Sequence, residues 1–257
     1  MIFVFDLDGT ICFKGQPVSE KILSGLEELT QAGHEVIFAS ARPIRDMLPV
    51  LHHRFHNFSL IGGNGSLISK DGSMIAIETF NEDLRLNMLK HIEAHQATYL
   101  IDSHWDYAYT GSLEHPILKN VDASKLAKLV AVESLETIVK ILILTANDME
   151  VLEQKLASLE VVIHRHRNEG VIDISPTHIH KWSALQKLGV EAKQFIAFGN
   201  DANDISMFQN AKHAVMIGHH DELAPYASEV IPLAGNYEEQ IVEKLKELAG
   251  KHVPLNS

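Results

Sequence analysis

The stretch that decides the fold is Met1-Ile2-Phe3-Val4-Phe5-Asp6-Leu7-Asp8-Gly9-Thr10. Its apolar residues 2–5 predict a fully buried strand, and Gly9 marks the turn that ends it. Because residues two apart in an extended chain point the same way, Asp6 and Asp8 are expected to project together from the carboxyl end of this strand. Open α/β sheets bind their ligands at that end. The two like charges favour a hard cation such as Mg²⁺, although Asp and Gly are also ordinary turn residues.

Composition limits the class of protein. The 257 residues include 46% hydrophobic residues, enough for one large domain or two modest ones, and the net charge is −12. This acidic balance argues against nucleic acid or an anionic membrane as the main partner, because both require a basic surface. A single cysteine, Cys12, excludes an internal disulfide. With no signal-peptide pattern and no apolar run long enough to span a bilayer, we expect a cytoplasmic protein.

The order of predicted elements is typical of a parallel sheet with an insertion. Strands and helices alternate from the opening strand onward, which indicates βαβ units. The alternation is interrupted over residues 81–176, which hold enough predicted elements for a small α+β domain, and it resumes afterwards. We therefore predict a core formed by residues 1–80 and 177–257 with an inserted cap at 81–176. Among the predicted helices are one near residues 124–132 and one over 221–227.

Four loops that follow predicted strands or begin predicted helices carry the polar residues of a candidate site. The first loop holds Asp6 and Asp8, the second holds Ser40 with Arg42, the third begins a helix at Lys181, and the last is Gly199-Asn200-Asp201-Ala202-Asn203-Asp204. These loops share one crevice if the sheet is parallel. A hydroxyl, a cation and helix amino termini suit the oxygens of a phosphoryl group, and an acidic loop suits Mg²⁺.

These motifs, in this order, resemble the haloacid dehalogenase superfamily, and within it the Cof-type phosphatases with a large α/β cap. The resemblance covers essentially the whole chain and includes the Gly63-Asn64-Gly65 turn. It implies a Rossmann-like parallel-sheet core and phosphoryl transfer. By this resemblance the nucleophile is Asp6, the general acid and base is Asp8, and the phosphate ligands are Ser40 and Lys181. Mg²⁺ is then held by Asp6, the main-chain carbonyl of Asp8 and the last loop.

The last loop departs from the family pattern. Aligning Asn203-Asp204-Ile205-Ser206-Met207 places Asn200, not an aspartate, where most relatives carry the acid that binds Mg²⁺. An amide oxygen can still bind a hard cation. We expect Asn200 to bind the metal directly, with Asp201 as the alternative ligand and Asp204 holding the ligands in place.

Weaker patterns leave two interpretations open. Arg42 contacts either the substrate or a structural ion-pair partner, and Asn64 and Asn203 are further candidate substrate contacts. Two His-x-His pairs, at residues 164–166 and 178–180, have no evident third ligand and are interpreted as surface histidines. Trp105, Tyr107 and Tyr109 alternate along one predicted strand, which fits either packing of the cap or contact with the substrate.

Together, these patterns predict a Mg²⁺-dependent phosphatase that hydrolyses small organic phosphate monoesters, such as sugar phosphates, through an aspartyl-phosphate. The alternatives are a phosphomutase, which returns the phosphoryl group to its substrate, and a phosphate-ester sensor of weak activity. The predicted partner is a small-molecule phosphate ester, and the sequence gives no indication of oligomeric state.

Overall fold

The computed structural model describes residues 1–166 and 170–251. Its strands are β1 (Ile2–Phe5), β2 (Glu35–Ala39), β3 (Ser59–Gly62), β4 (Leu67–Lys70), β5 (Ser73–Ile77), β6 (Thr98–Asp102), β7 (Tyr107–Tyr109), β8 (Lys140–Thr145), β9 (Val161–His166), β10 (Val171–Pro176), β11 (Phe195–Gly199), β12 (His213–Ile217) and β13 (Glu229–Ile231). Its α-helices are α1 (Glu20–Gln31), α2 (Ile44–Met47), α3 (Glu82–Ala94), α4 (Met149–Ala157), α5 (Lys181–Lys187), α6 (Ile205–Asn210) and α7 (Tyr237–Lys251).

The larger sheet has eight strands in the order β13-β12-β11-β1-β2-β3-β4-β5. The strands from β13 to β3 in this order run parallel, and β4 and β5 add an antiparallel hairpin. The central strand β1 pairs with β2 on one side and β11 on the other. Because the chain builds the sheet outward in both directions from β1, the carboxyl end of β1 lies at the switch point where such sheets open a ligand crevice.

Apolar side chains bury β1 from both faces. The ring of Phe5 lies 4.9 Å from that of Phe198 and 6.3 Å from that of Phe38, within a core that also contains α1 and α7 residues. Val4 points to the opposite core, where it joins Leu185 of α5. The burial of β1 on both faces agrees with its uninterrupted apolar sequence. It also gives the residues directly after β1 a rigid support.

The smaller sheet is antiparallel, with five strands in the order β7-β6-β8-β10-β9. Its isoleucines at alternate positions, such as Ile141 and Ile172, pack against Met88 of α3 and Leu152 of α4. On the opposite face, Leu142 and Leu144 pack with Val121 in a smaller apolar cluster. Lys140 and Asp173 of the same face contact Ala41 and Asn64, in loops at the carboxyl edge of the larger sheet. The predicted fold class, an α/β parallel-sheet core with an inserted α+β cap, is confirmed. The boundaries after residues 80 and 176 stay predictions.

One expected helix is absent from the described cap: residues 124–132 run instead beside β7. The carboxylate of Asp122 accepts a hydrogen bond of 2.6 Å from the backbone N–H of Leu126, which ties the chain into a turn. The backbone N–H of Val130 then donates to the carbonyl of Tyr107 over 2.9 Å. The helix prediction was wrong because this segment pairs with β7 at the edge of the smaller sheet, so its apolar residues do not form a helix face.

The second overestimated helix is the one expected over residues 221–227. Only Ala224–Tyr226 forms a 3₁₀ turn. Pro225 lacks the backbone N–H that a longer helix would use. Among the described residues the longest helix is α7, with 15 residues, and none of these helices is long and apolar enough to cross a membrane.

Candidate active site

The turn after β1 is a compact hydrogen-bonded loop. The backbone N–H groups of Thr10, Ile11 and Cys12 all donate to the carbonyl of Leu7, over 3.1, 3.0 and 2.8 Å. Gly9 adopts a φ of +81°, and a Cβ there would lie 2.1 Å from the amide nitrogen of Asn200. A side chain at position 9 would therefore displace the Asn200 side chain, and it would be strained by the positive φ.

Asp6 forms a buried ionic cluster with residues from two other elements. Its Oδ1 accepts a hydrogen bond of 2.7 Å from Nζ of Lys181, at the start of α5. The same ammonium donates to Oδ1 of Asp204 over 2.6 Å. Asp6 is 4% exposed, and Lys181 and Asp204 are 0% exposed. The structure thus brings three of the predicted site residues into direct contact.

Burial controls the charges of this cluster. It raises the pKa of Asp6 to about 7, although the ammonium of Lys181 acts to lower it. Burial also opposes the charged form of Lys181, but the carboxylates of Asp204 and Asp6 outweigh it and hold the pKa of Lys181 above its ordinary value. A further cation near Asp6 would favour its ionised form, which is the form that can act as a nucleophile.

The last loop is organised around Asp204. Its Oδ2 accepts hydrogen bonds from the backbone N–H groups of Asn200 (2.8 Å) and Asp201 (3.2 Å). A Cβ at Gly199 would lie 2.5 Å from this same oxygen, so a glycine is required for the close approach. Asp204 therefore shapes the loop through its carboxylate, and its role in support of a metal stays a prediction.

Asn200 and Asp201 point to different surroundings. The hydroxyl of Thr10 lies 2.8 Å from Oδ2 of Asp6 and 3.2 Å from Oδ1 of Asn200, so both oxygens approach one group. In contrast, Oδ1 of Asp201 accepts from the backbone N–H of Ala202 (2.7 Å) and lies 3.1 Å from Nε2 of His220. Of the two candidate ligands, Asn200 is the one whose side-chain oxygen contacts the same hydroxyl as Asp6.

The oxygen donors at this place are compatible with Mg²⁺. Across the described residues, no three His, Cys, Asp or Glu side chains converge in the manner of a metal site. The candidate donors here are the carboxylate of Asp6, the amide oxygen of Asn200 and the main-chain carbonyl of Asp8. Only the first is a side chain of one of those four residue types. Mg²⁺ commonly takes one or two carboxylates and completes its octahedron with waters and substrate phosphate. These oxygen donors are therefore of the chemical type that Mg²⁺ binds.

Asp8 lies in different surroundings from Asp6. Its side chain is 47% exposed and forms a two-point ion pair with Arg42, at 2.6 Å from Nε and 2.7 Å from Nη2. Such planar pairing restricts the carboxylate to one orientation. From the sequence, Arg42 was expected either to form an ion pair or to contact the substrate. The structure shows the ion pair, and a substrate contact stays a prediction.

Ser40 lies at the end of β2 and is buried. Its Oγ accepts a hydrogen bond of 3.1 Å from the backbone N–H of Arg42, which turns the chain sharply after the strand. The carbonyl of Ser40 accepts another from the backbone N–H of Asn64, over 3.0 Å. The second loop and the Asn64 turn are thereby joined at the crevice.

Asn64 and Asn203 contact each other across the crevice. Asn64 adopts a φ of 59°, a conformation that Asn tolerates better than most residues. Its Oδ1 accepts a hydrogen bond of 3.1 Å from Nδ2 of Asn203. Its own Nδ2 lies 3.4 Å from Oδ2 of Asp173, on the cap. Both predicted substrate contacts are therefore close to the cap, and their role stays a prediction.

Sequence reasoning missed the cap residues that face the crevice. Nζ of Lys140 lies 2.9 Å from Oδ2 of Asp173 and donates to the carbonyl of Ala41 over 2.9 Å. Both side chains are buried. The signal was present, since Asp173 and Ser175 interrupt the apolar strand Val171–Pro176 at alternate positions. Polar residues within a buried strand usually have a specific partner.

The aromatic trio expected on one strand face is divided. Trp105 precedes β7, donates from its indole N–H to the carbonyl of Leu126 over 2.8 Å, and packs against the core of the larger sheet. Tyr107 lies under the guanidinium of Arg45, and the hydroxyl of Tyr109 donates to the carbonyl of Ser112. These contacts are those of packing residues, and contact with a substrate stays a prediction.

Arg45 is a second polar connection between core and cap. It is 0% exposed and contacts Asp46 of its own helix at 2.8 Å and Asp102 of β6 at 2.7 Å. It also donates to the carbonyl of Trp105 over 2.6 Å. Because a buried arginine depends on all these partners, the cluster holds the cap against the second loop.

The family model for haloacid dehalogenase-like hydrolases matches residues 3–237. This range is most of the chain, and the chain therefore belongs to the haloacid dehalogenase-like hydrolase family. The uracil derivative phosphatase YitU of Bacillus subtilis, 5-amino-6-(5-phospho-D-ribitylamino)uracil phosphatase, is 23% identical over 236 residues. That alignment covers 85% of this chain and 86% of YitU.

Solved structures show the same fold. The structure of TM0651 from Thermotoga maritima has a TM-score of 0.76 at 20% identity and covers 96% of each chain. The subclass IIB sugar phosphatase BT4131 has a TM-score of 0.77 at 16% identity, covering 96% of this chain and 98% of that chain. The predicted family and its enzyme class, a phosphatase of this superfamily, are confirmed.

Proposed function

We propose that this protein is a Mg²⁺-dependent phosphatase of small organic phosphate monoesters, sugar phosphates among them, acting through an aspartyl-phosphate at Asp6. The observation that carries the proposal is the buried contact of Asp6 with Lys181 at the carboxyl end of the central strand. It supplies a carboxylate nucleophile and, next to it, a cation for phosphate oxygens. The oxygen of Asn200, which lies within hydrogen-bond distance of the same Thr10 hydroxyl as Asp6, supports a metal ligand there.

The geometry supports a two-step displacement. In the first step an oxygen of Asp6 bonds to phosphorus while the ester bond breaks, and Asp8 gives its proton to the departing alkoxide. In the second step the Asp8 carboxylate takes a proton from water as that water attacks phosphorus, which frees inorganic phosphate and restores Asp6. To carry this proton, Asp8 must give up one of its two contacts with Arg42, while the other keeps it oriented. The hydroxyl of Ser40 and the ammonium of Lys181 bind phosphate oxygens.

The expected Mg²⁺ would assist the attack of Asp6 on phosphorus through its positive charge. When bound, Mg²⁺ would reduce the repulsion between the Asp6 carboxylate and the phosphate oxygens. The residues that would hold it are Asp6, Asn200 and the main-chain carbonyl of Asp8, supported by Asp204. With Asn200 in place of an aspartate, the site has one formal negative charge fewer, so we infer weaker Mg²⁺ binding than in relatives with the acid.

The cap supports a small substrate. Asp6, Ser40 and Lys181 are all buried although they lie at the edge of the larger sheet. This burial is consistent with a cap that excludes water during attack and opens for exchange of substrate and product. A small-molecule phosphate ester fits such a site better than a macromolecule, and a cytoplasmic location remains our expectation from the sequence.

Two alternative functions differ in what supports them. A phosphomutase would use the same first step as a phosphatase. A phosphate-ester sensor is favoured only by the presence of Asn200 where most relatives carry an aspartate.

The proposal is tested by the variant Asp6→Asn with a panel of phosphate esters and Mg²⁺. We expect the variant to fold and to lose nearly all turnover. The matched control is Asp71→Asn, because Asp71 lies in the exposed β4–β5 turn with a φ of 53°, which Asn also tolerates. Substantial phosphatase activity in Asp6→Asn would contradict the covalent mechanism.

A further inference from the structure

The helix that carries Lys181 begins with a histidine as its N-cap, the residue directly before the first helical position. Nδ1 of this residue, His180, accepts a hydrogen bond of 3.0 Å from the backbone N–H of Ser183. In return, the hydroxyl of Ser183 accepts from the backbone N–H of His180 over 3.1 Å. The sequence indicated a surface histidine here, but His180 is half-buried and forms a reciprocal capping box with Ser183.

This N-cap holds the backbone from which Lys181 extends. Lys181 is the first residue of α5, and its buried ammonium contacts Asp6 and Asp204. On the other side, the backbone of His180 is pressed against a neighbouring turn, because a Cβ at Gly65 would lie 2.7 Å from the carbonyl oxygen of His180. Without its N-cap, the first turn of a helix loses order. The position of the Lys181 ammonium therefore depends on the His180 imidazole.

The N-cap works only while the imidazole is neutral. A neutral ring accepts through one nitrogen and donates through the other, whereas a protonated ring donates through both. Because Nδ1 of His180 accepts from Ser183, protonation would place two N–H groups against each other. The new positive charge would also face the positive end of the helix dipole. Acid therefore removes this N-cap, which an uncharged asparagine or serine at the same position would retain.

The surroundings of His180 also favour the neutral ring. Burial lowers the pKa of His180, and the charge of the exposed His178 acts in the same direction. The turn Gly63–Gly65, β3 and α6 pack against α5, and none of these three elements contains an acidic or basic side chain. The two carboxylates of the buried cluster contact the ammonium of Lys181 instead. Within the described chain, no carboxylate acts to stabilise the protonated imidazole.

We propose that His180 is a positioning residue for Lys181, and that protonation of its imidazole in mild acid releases the N-cap and lowers the activity of the enzyme. The proposal rests on the proposed function, in which the Lys181 ammonium binds phosphate oxygens. When the N-cap is lost, the first turn of α5 loosens and the ammonium no longer has a fixed place beside Asp6. His180 thus makes phosphate binding depend on pH without touching the substrate.

The test measures kcat/KM for a phosphate ester with Mg²⁺ between about pH 5 and about pH 8 in the wild type, His180→Asn and His180→Ala. Asparagine caps a helix without titrating, and alanine does not cap it. The ratio of wild type to His180→Asn cancels the titration of groups that both share, Asp6 and Asp8 among them. We expect this ratio to fall about 3- to 10-fold from the higher pH to the lower, the effect of one lost N-cap. The ratio of His180→Ala to His180→Asn should be low at every pH.

The matched control is His115→Asn. Nδ1 of His115 likewise accepts from a backbone N–H, that of Ile117 over 3.2 Å, but it caps a 3₁₀ helix remote in sequence from Lys181. The ratio of wild type to this control should stay constant with pH.

A merely structural role of His180 would lower the melting temperature of His180→Ala but would leave the ratio of wild type to His180→Asn constant with pH. That constant ratio would overturn the proposal, as would full activity of His180→Ala at about pH 8. A wild type that hydrolyses no phosphate ester at any pH would overturn the proposed function, and the positioning role with it.

Discussion

The most informative single change in the buried cluster is Lys181→Met, which removes the ammonium but keeps a similar length of apolar side chain. Lys181 contacts Asp6 at 2.7 Å and Asp204 at 2.6 Å with no exposure to water. Breaking a buried ion pair by removing one partner costs about 3–5 kcal/mol. At about 2–4 °C per kcal/mol for a protein of this size, the melting temperature should fall by about 6–20 °C.

The loss should depend on pH in a defined direction. Burial raises the pKa of Asp6 to about 7 in the folded protein, above its unfolded value, so the folded state retains a proton that the unfolded state has released. The cost of ionising Asp6 is therefore absent in acid and grows as pH rises through about 7. Without Lys181 that cost is larger, so the deficit of Lys181→Met should be greater at about pH 8 than at about pH 5.

The assay is thermal unfolding followed by circular dichroism in the presence of EDTA, with kcat/KM measured in parallel. The matched control is Lys187→Met on the same helix, where the exposed lysine pairs with exposed Glu78. Such a surface pair contributes about 0–1 kcal/mol, so the control should unfold close to the wild type. Equal melting temperatures for Lys181→Met and the wild type at about pH 8 would refute the buried cluster as a source of stability.

Two further predictions concern the acid and the metal. In Asp8→Asn, the first step, transfer of the phosphoryl group to the enzyme, should slow roughly 10²- to 10⁴-fold with a hexitol phosphate but far less with p-nitrophenyl phosphate, because nitrophenolate departs without a proton. Equal losses in the rate of this first step, measured in a single turnover, would remove Asp8 as the acid. Asn200→Asp should bind Mg²⁺ more tightly in a calorimetric titration, and Asp201→Asn should change it little, because the Asp201 carboxylate faces Ala202 and His220. The opposite order of effects would make Asp201 the ligand.

The larger sheet was predictable because its strands are buried on both faces. In the sequence such strands are short apolar runs with polar residues directly after them, as in Phe3-Val4-Phe5-Asp6. Parallel strands then bring their carboxyl ends to one edge without any knowledge of side-chain contacts. This reasoning explains why Asp6, Lys181 and Asp204, which are far apart in the sequence, could be assigned to one site before their contact was seen.

The sequence did not reveal the contacts that depend on the cap. Whether Lys140 and Asp173 face the crevice or solvent depends on which face of the smaller sheet turns toward the core, and alternation alone does not determine this. The segment 124–132 has apolar residues that fit a helix, yet its backbone pairs with Tyr107. Tertiary contacts overrode local preference there. The division of Asp6 and Asp8 into buried and exposed surroundings likewise depends on Arg42 and Lys181.

The most direct test of the central claim is to trap the phosphoryl group on the enzyme. Asp8→Asn is mixed with p-nitrophenyl phosphate and Mg²⁺, quenched, and reduced with borohydride, which converts an aspartyl-phosphate to homoserine. Since the leaving group needs no acid while the attacking water needs a base, the intermediate should accumulate. Peptide mass spectrometry should then find homoserine at position 6. A stoichiometric burst of nitrophenolate with an unmodified Asp6, or with homoserine at another position, would contradict the mechanism.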